Sequence, residues 1–251
     1  MDHYHIKSDD WKIIYAHLKE AKGVRVTRQE KTRQFLEGVY YIMRTGAQWR
    51  ELPHYYGKWR SVHKRYTAWC QKGLWNRILH GVTEDHDSES IMIDATIVRA
   101  HPCAAGYKWG TGAQECLGRS KGGFTTKIHA VVDALGQALR FIVTEGKRHD
   151  STQASALIEG LKSTYVIADK GYDTDSLIQQ ITAQHAIPVI PPRKNRKVLR
   201  AYDSHIYKER HLIECFFGKI KHFRRVFSRF DKKASSFLGF LAFASIIIRL
   251  R

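Results

Sequence analysis

The sequence predicts a mixed α/β fold that is preceded by an all-helical domain. Two observations predict this order. Through the first third of the chain, apolar residues recur three or four residues apart, which is the spacing of one helix face. From residue 91 onward, short apolar runs that suit buried strands alternate with stretches of helical spacing, as expected for a sheet flanked by helices. We therefore predict a helical domain at residues 1–87 and an α/β domain at residues 88–251.

The chain is strongly basic. Its 251 residues include 42 Lys and Arg against 24 Asp and Glu, a formal net charge of +18 at pH 7. The cations are spread along the chain, so they predict a polyanionic partner, with nucleic acid favoured over an acidic membrane surface. The four cysteines lack zinc-ligand spacing and suit a reducing compartment. We recognise neither a signal peptide nor a membrane span, and we expect a soluble, cytoplasmic protein.

The helical domain ends in a basic helix. Apolar stripes predict one helix around residues 11–18, capped by Ser8 or Asp9, and another around residues 35–43, capped by Thr27. After a turn comes a basic helix from about residue 58 to 71, whose candidate DNA contacts are Lys58, Arg60, Lys64 and Arg65. This is the outline of a helix-turn-helix DNA reader, and a plain bundle with a solvated basic face explains the pattern equally well.

The α/β domain opens with a strand that contains an acid. Residues 91–98 form an apolar run around Asp94, and a charge in such a run needs a partner or a bound cation. The Gly-rich segment 104–123 predicts a mobile loop lying along a phosphate backbone, with Arg119 and Lys121 as candidate DNA contacts.

A hairpin and further α/β steps complete the predicted sheet. Residues 124–133 and 137–144 form the hairpin, and Lys127 in its first strand is a further candidate DNA contact. A strand at residues 164–169 ends in Asp169. The other predicted elements are helices at 153–161, 174–184, 207–221 and 237–248 and a short strand at 187–192, which is followed by a basic loop.

The helix at 207–221 has one polar and one apolar face. At about 100° per residue, one narrow stripe carries Tyr207, Arg210, Glu214 and Lys221, and the opposite face is apolar. An ordinary surface helix with an Arg210–Glu214 ion pair explains the stripe. A carboxylate among cations also suits an acid that holds a metal beside a bound phosphate.

Three acids lie where the predicted sheet could bring them together. They are Asp94 in the first strand, Asp169 at the end of the fourth, and Glu214 on the helix after the fifth. Mg²⁺ prefers oxygen ligands and is commonly held by one or two carboxylates with phosphate oxygens. Either Asp could instead cap a helix or accept turn amides. Among the rival acids, which include Asp133, we expect Asp150 to cap a helix and Asp173 to lie in a turn.

Several motifs of the chain match one known family. They are I-D-A-T-I-V-R-A-H at 93–101, G-G-F-T-T-K-I-H at 122–129, A-D-K-G-Y-D at 168–173, and Y-x2-R-x3-E-x6-K from Tyr207 to Lys221. The last pattern is specific, because four residue types at fixed spacing rarely coincide. With these motifs the chain resembles the Asp-Asp-Glu (DDE) transposases of the insertion sequence 5 family, over nearly its whole length from residue 44 to 232.

The resemblance implies a ribonuclease H-like catalytic core with two Mg²⁺ ions, replaceable by Mn²⁺, on Asp94, Asp169 and Glu214. It implies cleavage at terminal inverted repeats and joining of the freed 3′-hydroxyl to target DNA, by a bacterial, nucleoid-associated homodimer on DNA. Arg210 and Lys221 would then contact phosphates near the scissile bond, with Tyr207 positioning the strand. The alternatives are a domesticated nuclease that no longer joins DNA, and a non-catalytic DNA-binding regulator.

Overall fold

The computed structural model describes residues 4–21, 24, 26, 28–105, 115–120, 123–197 and 199–251. In chain order the helices are α1 (Ser8–Glu20), α2 (Gln29–Thr45), α3 (Trp59–Gln71), α4 (Leu74–Val82), α5 (Pro102–Ala105), α6 (Ala154–Ile158), α7 (Asp175–Ala183), α8 (His211–Ile220), α9 (Arg224–Phe227) and α10 (Ala234–Arg249). The strands are β1 (Ser90–Ala100), β2 (Gly118–Ser120), β3 (Gly123–Asp133), β4 (Ala138–Glu145), β5 (Tyr165–Ala168), β6 (Ile187–Val189) and β7 (Ser228–Arg229). Short 3-10 turns lie at Trp49–Glu51, His54–Tyr56, Asp150–Gln153, Lys170–Tyr172 and Ile206–Arg210.

The chain forms two compact units. The helical unit contains Met1–Glu84, Arg99–Thr111 and Ile220–Arg251, and the sheet unit contains Asp85–Val98 and Gly112–Lys219. The domain boundary predicted at 87/88 lies close to the first of these borders. The last thirty or so residues, however, pack with the N-terminal helices, so the units divide the chain differently from the predicted domains, which stay a prediction.

Helix α10 explains why the end of the chain packs with the beginning. Its side chains are buried along nearly its whole length, and it lies against α3 and α4. The Tyr66 ring of α3 stacks on Phe240 with 4.5 Å between ring centroids, and the Tyr66 hydroxyl donates a hydrogen bond to the Ser236 carbonyl oxygen at 2.6 Å. A helix that is apolar all round must be covered on every side. The buried terminal helix predicted from the sequence is confirmed.

The described ends of α1 and α2 are formed by the backbone and not by side-chain caps. Gly46 ends α2: it has a φ of +73°, and its N–H donates to the Ile42 carbonyl oxygen at 3.0 Å. The N-terminal caps differ, because α1 begins at Ser8 after Lys7 and has no side-chain cap. The proposed cap Thr27 lies outside the described residues.

The sheet unit is built on a mixed sheet. Its strands run in the order β4-β3-β1-β5-β6, and β2 pairs with the start of β3. The neighbours β1, β5 and β6 are parallel, whereas β3 and β4 form an antiparallel hairpin. Apolar side chains of β1 pack with those of α6 and α7 in one buried cluster, which includes Ile91, Ile93, Leu157, Ile158, Leu177 and Ile181. The predicted mixed α/β sheet with flanking helices, after a helical segment, is confirmed.

Asp133 shapes the hairpin turn. Its Oδ1 accepts hydrogen bonds from the N–H groups of Leu135 at 3.1 Å and Gln137 at 2.8 Å. Gly136 lies in the turn with a φ of +71°, a conformation that favours glycine. This rival acid is therefore a turn residue, and the predicted hairpin is confirmed.

Three elements differ from the sequence-based expectation. The helix predicted at 153–161 is short, because Gly160 with a φ of +71° follows α6 closely. The helix predicted at 207–221 begins as a 3-10 turn and becomes α-helical only at His211. The loop predicted at 104–123 falls largely outside the described residues, and its described part contains β2. Among the described residues, no helix is long and apolar enough to cross a membrane.

Candidate active site

Asp94 and Asp169 lie directly after the segment over which two neighbouring strands pair. Strands β1 and β5 run parallel, and their register pairs Ile93 with Ala168. Asp94 and Asp169 each follow one residue later, so the two carboxyl groups come from adjacent positions of the sheet. Parallel strands bring the residues after their paired segments to one edge of a sheet, which is where ligands of α/β proteins bind.

Arg210 connects the first of these acids to Glu214. Its Nη1 donates a hydrogen bond to Asp94 Oδ2 at 2.8 Å, and its Nη2 donates to Glu214 Oε1. Arg210 ends the 3-10 turn at Ile206–Arg210, and Glu214 lies in the first turn of α8. The expected Arg210–Glu214 pair is present, and it extends to Asp94, which is 116 residues away in the chain.

The apolar face of α8 holds Glu214 toward the site. Ile213 and Phe216 are buried, and the Phe216 ring stacks on Phe141 of β4 at 5.9 Å between centroids. Leu212 lies against Gly136, where an added Cβ would be 3.3 Å from the Leu212 Cβ. The back of the helix thus packs on the hairpin, as its amphipathic pattern predicts.

Burial disfavours the ionised form of the Asp94 carboxyl group. Burial raises the pKa of Asp94, and the nearby Asp169 carboxylate raises it further, whereas the Ala95 amide and Arg210 act in the opposite direction. A raised pKa means that the ionised form is disfavoured here and that additional positive charge would stabilise it.

Tyr172 supplies a buried hydroxyl beside the acids. It follows Asp169 by three residues, and its Oη has no hydrogen-bond partner among the described residues. Burial raises the pKa of the Tyr172 phenol, and the carboxylates of Asp94, Asp150 and Asp169 add to this effect. A buried polar atom without a partner is unusual and points to an additional polar species at this place.

The turn after Asp169 is held by three arginines of the basic loop. Asp169 Oδ1 accepts the Gly171 N–H at 2.7 Å, and a Cβ at Gly171 would be 2.8 Å from that oxygen. Arg193 donates to the carbonyl oxygens of Lys170 at 3.2 Å and Gly171 at 2.6 Å. The other two, Arg196 and Arg200, both bind the buried carboxylate of Asp173.

This network was missed from the sequence. Residues 193–200 were predicted to be a basic loop, but basic spacing alone does not show whether a cation faces solvent or a buried acid. Asp173, predicted to be a turn residue, is also the centre of an ion-pair cluster. Burial opposes its ionisation, but hydrogen bonds from Arg196, the Arg193 amide and Arg200 hold its pKa below the ordinary value.

Asp150 has a different role from the helix cap expected for it. Its carboxylate forms an ion pair with Lys127 Nζ at 2.6 Å, and the 3-10 turn that it begins has no side-chain cap. Lys127 also donates to the Arg148 carbonyl oxygen at 2.6 Å. The ammonium group of Lys127 is therefore committed within the sheet unit, and its contact with DNA stays a prediction.

The other candidate DNA contacts differ in accessibility. Lys58, Arg60 and Lys64 are exposed, whereas the Arg65 guanidinium lies over the rings of Phe35 at 4.3 Å and Trp69 at 4.8 Å. On the sheet unit Arg119 is exposed, and Lys121 lies outside the described residues. These contacts stay predictions.

The polar stripe of Tyr207, Arg210, Glu214 and Lys221 is split between the two units. Tyr207 lies close to Arg210, and burial raises the pKa of its phenol. Lys221 follows the end of α8 and belongs to the helical unit.

Carboxylate oxygens fit a hard divalent cation such as Mg²⁺. Asp94 and Asp169 are the first candidates, because they are adjacent and an orphaned hydroxyl lies beside them. Among the described residues, no three His, Cys, Asp or Glu side chains are grouped closely enough to hold a metal ion. In the part of the chain that the structure describes, Glu214 is connected to Asp94 through Arg210.

Two family models match the chain. A transposase DDE domain model matches residues 85–247, and a model described as a putative transposase of IS4/5 family matches residues 6–79. The first covers the sheet unit together with the C-terminal helices, and the second covers the N-terminal helices. The family expected from the sequence motifs is confirmed.

Individual relatives agree with the family models. A putative transposase for insertion sequence element IS6501 from Brucella ovis is 45% identical over 129 residues, which is 51% of this chain and 99% of the relative. A putative transposase for insertion sequence element IS402 from Burkholderia cepacia is 28% identical over 135 residues, 49% of this chain and 62% of the relative.

One solved structure shows a weak likeness. It is a piggyBac transposase synaptic complex with hairpin DNA, with a TM-score of 0.41 at 10% identity. The match covers 78% of this chain and 51% of that chain, so this chain spans about half the length of that transposase. No assignment rests on this similarity.

Proposed function

Because the chain belongs to the transposase DDE domain family, we propose that it is a metal-dependent DNA transposase of an insertion sequence. It hydrolyses a phosphodiester bond at each terminal inverted repeat and then joins the freed 3′-hydroxyl to target DNA, as a homodimer on DNA. The observation that supports this most is the adjacency of Asp94 and Asp169, together with the link from Asp94 through Arg210 to Glu214.

The three acids form one metal site in this proposal. Asp94 and Asp169 hold two divalent ions, Mg²⁺ or in its place Mn²⁺, and Glu214 completes the site from α8. When bound, such ions stabilise the attacking and leaving oxygens of an in-line displacement. Gly171 keeps Asp169 in place, since its N–H binds one carboxylate oxygen and its missing Cβ leaves room for that oxygen.

The cations of the chain bind the DNA backbone. The exposed Lys58, Arg60 and Lys64 at α3 give the helical unit a basic face that suits phosphates of the terminal repeat. Arg210 and Lys221 contact phosphates beside the scissile bond, and Tyr207 positions the strand. A guanidinium suits this role because it has five donors and stays charged at any physiological pH.

The test uses a labelled duplex that carries one terminal repeat with its flanking DNA. In Mg²⁺ we expect the protein to nick the duplex at the repeat end, and to join a pre-cut end with a free 3′-hydroxyl to a target plasmid. Asp94→Asn is expected to reduce both reactions by more than about a hundredfold, because loss of a mere supporting residue at a metal site already costs about 10–100-fold. A gel-shift assay should show that Asp94→Asn still binds the duplex.

Asp85→Asn is the matched control, because it makes the same substitution at an exposed acid near the start of the sheet unit. Nicking without joining would instead indicate a nuclease. Binding of the repeat without nicking in Mg²⁺ or Mn²⁺ would indicate a DNA-binding regulator and contradict the proposal.

A further inference from the structure

The Arg210 guanidinium occupies two of the three proposed metal ligands at once. Its Nη1 binds Asp94 Oδ2 at 2.8 Å and its Nη2 binds Glu214 Oε1. A guanidinium commonly places both nitrogens on one carboxylate. Here it bridges two carboxylates that come from β1 and α8, so it stands between the groups that have to approach a common cation.

Both carboxylate oxygens of Asp94 already accept a hydrogen bond in this arrangement. Its Oδ1 accepts the Ala95 N–H at 2.8 Å, and its Oδ2 accepts Arg210. Mg²⁺ binds oxygens directly at about 2.0–2.1 Å and needs near-octahedral geometry. A metal ion that binds Asp94 Oδ2 therefore has to share this oxygen with Arg210 or displace the guanidinium from it.

The guanidinium and a divalent ion also repel each other. The side chains of Arg210 and Asp94 are only 22% and 19% exposed, so water screens charges weakly at this place. Two cations that share one carboxylate here destabilise each other. Arg210 and the metal therefore compete for Asp94 and Glu214.

A DNA phosphate offers Arg210 another anionic partner. The donors of a guanidinium match a phosphate as well as they match a carboxylate. Arg210 lies on a single 3-10 turn, and its side chain keeps a part of its surface in solvent. Its head group can therefore leave the acids for an anion in front of them while the backbone stays in place.

We propose that Arg210 is an exchangeable internal cation, which blocks metal binding at Asp94 and Glu214 until a DNA phosphate draws its guanidinium away. This inference rests on the proposed function. It has a thermodynamic consequence: DNA binding raises the affinity for metal, and metal raises the affinity for DNA by the same factor. In the absence of DNA the two acids share the one positive charge of Arg210.

The test measures Mn²⁺ binding by isothermal titration calorimetry, with and without a terminal-repeat duplex. Without DNA, Arg210→Gln is expected to bind Mn²⁺ about tenfold or more tightly than the unmodified protein, because the competing cation is gone. In the unmodified protein the duplex should tighten Mn²⁺ binding by roughly 5–150-fold, the usual range of coupling between sites. In Arg210→Gln most of this coupling should disappear.

Lys208→Gln is the matched control. It removes one positive charge from an exposed side chain of the same 3-10 turn, so it reports the effect of net charge alone. Arg210→Lys keeps the charge but has a single nitrogen in place of the two that bind Asp94 and Glu214, so it bridges the acids less well. Its Mn²⁺ affinity should lie between those of the two glutamine variants. Thermal unfolding of each variant shows whether it is folded.

Two outcomes overturn the inference, and they are distinguishable from each other. If Mn²⁺ binds the unmodified protein but not Asp94→Asn, and Arg210→Gln and Arg210→Lys bind it no more tightly, Arg210 does not compete and the proposed function stands. If no variant binds Mn²⁺ with or without the duplex, both the competition and the metal-dependent function are wrong.

Discussion

At the scale of single residues, Arg65 differs from its helical neighbours in what it contacts. Its guanidinium covers the rings of Phe35 and Trp69, and its Nη2 donates to Thr32 Oγ1 at 3.2 Å. We expect Arg65→Ala to lower the free energy of unfolding by about 1–2 kcal/mol, because the substitution removes cation–π contacts and apolar packing. Urea denaturation measures this change. An unchanged free energy of unfolding together with weaker DNA binding would show that Arg65 contacts DNA and does not stabilise the fold.

Asp173 and Asp175 share two arginines but differ in burial. Both acids bind Arg196 and Arg200, yet the Asp173 side chain is fully buried and that of Asp175 is 71% exposed. Asp173→Asn is expected to cost about 3 kcal/mol of stability, since it leaves partly buried cations without their acid. Asp175→Asn is the control and should cost much less stability, because water screens an exposed ion pair. Equal effects of the two substitutions in urea denaturation would contradict this interpretation.

His129 makes stability depend on pH. Burial in β3 lowers the pKa of His129 from 6.5 to about 4, and its imidazole lies opposite Thr144 Oγ1 at 2.8 Å. Between pH 6.5 and about 4, the unfolded chain binds a proton at this residue that the folded chain does not, so stability falls as pH falls through this window. The whole effect is at most roughly 3 kcal/mol.

Substitution removes this dependence. We expect His129→Gln to flatten the pH dependence of the free energy of unfolding between pH 6.5 and about 4. Urea denaturation at several pH values measures this free energy. His149→Gln, at an exposed position, is the control. If both variants retain the original slope, another group carries the pH dependence.

At the scale of elements, α3 is the helix through which the helical unit is proposed to bind DNA. Replacing Lys58, Arg60 and Lys64 together by alanine should lower the slope of log affinity against log salt by about one for each DNA phosphate that is no longer bound. The control replaces the exposed Lys12, Lys19 and Lys31 of α1 and α2. Equal changes in slope for both triple variants, measured by fluorescence anisotropy, would mean that α3 has no special role.

The sequence-based expectations succeeded where a local pattern decides the structure. The apolar run around Asp94 forms β1, the spacing of α8 predicted its buried face, and the runs at 124–133 and 137–144 form the predicted hairpin. They failed where the deciding contact is distant in the chain. Arg196 and Arg200 fold onto Asp173, more than twenty residues earlier, and no local pattern encodes that pairing.

At the scale of the whole molecule, the path of the chain sets which parts of the site were predictable. The order of strands predicted that Asp94 and Asp169 meet, because crossover connections place parallel strands side by side. One of the two partners of Arg210 was predictable from the sequence. Helical spacing predicts its pair with Glu214, whereas its pair with Asp94 depends on the three-dimensional packing of α8. The packing of α10 on the N-terminal helices was not predicted, since an apolar stretch does not show which element covers it.

The central claim is that Asp94, Asp169 and Glu214 act as one metal-dependent site on DNA. The most direct measurement is the Mg²⁺-dependent nicking rate of a terminal-repeat duplex by Asp94→Asn, Asp169→Asn and Glu214→Gln, each compared with Asp85→Asn. We expect each of the three substitutions to slow nicking by more than about a hundredfold while the duplex is still bound. A variant of any of the three acids that nicks at the rate of the control would contradict the claim.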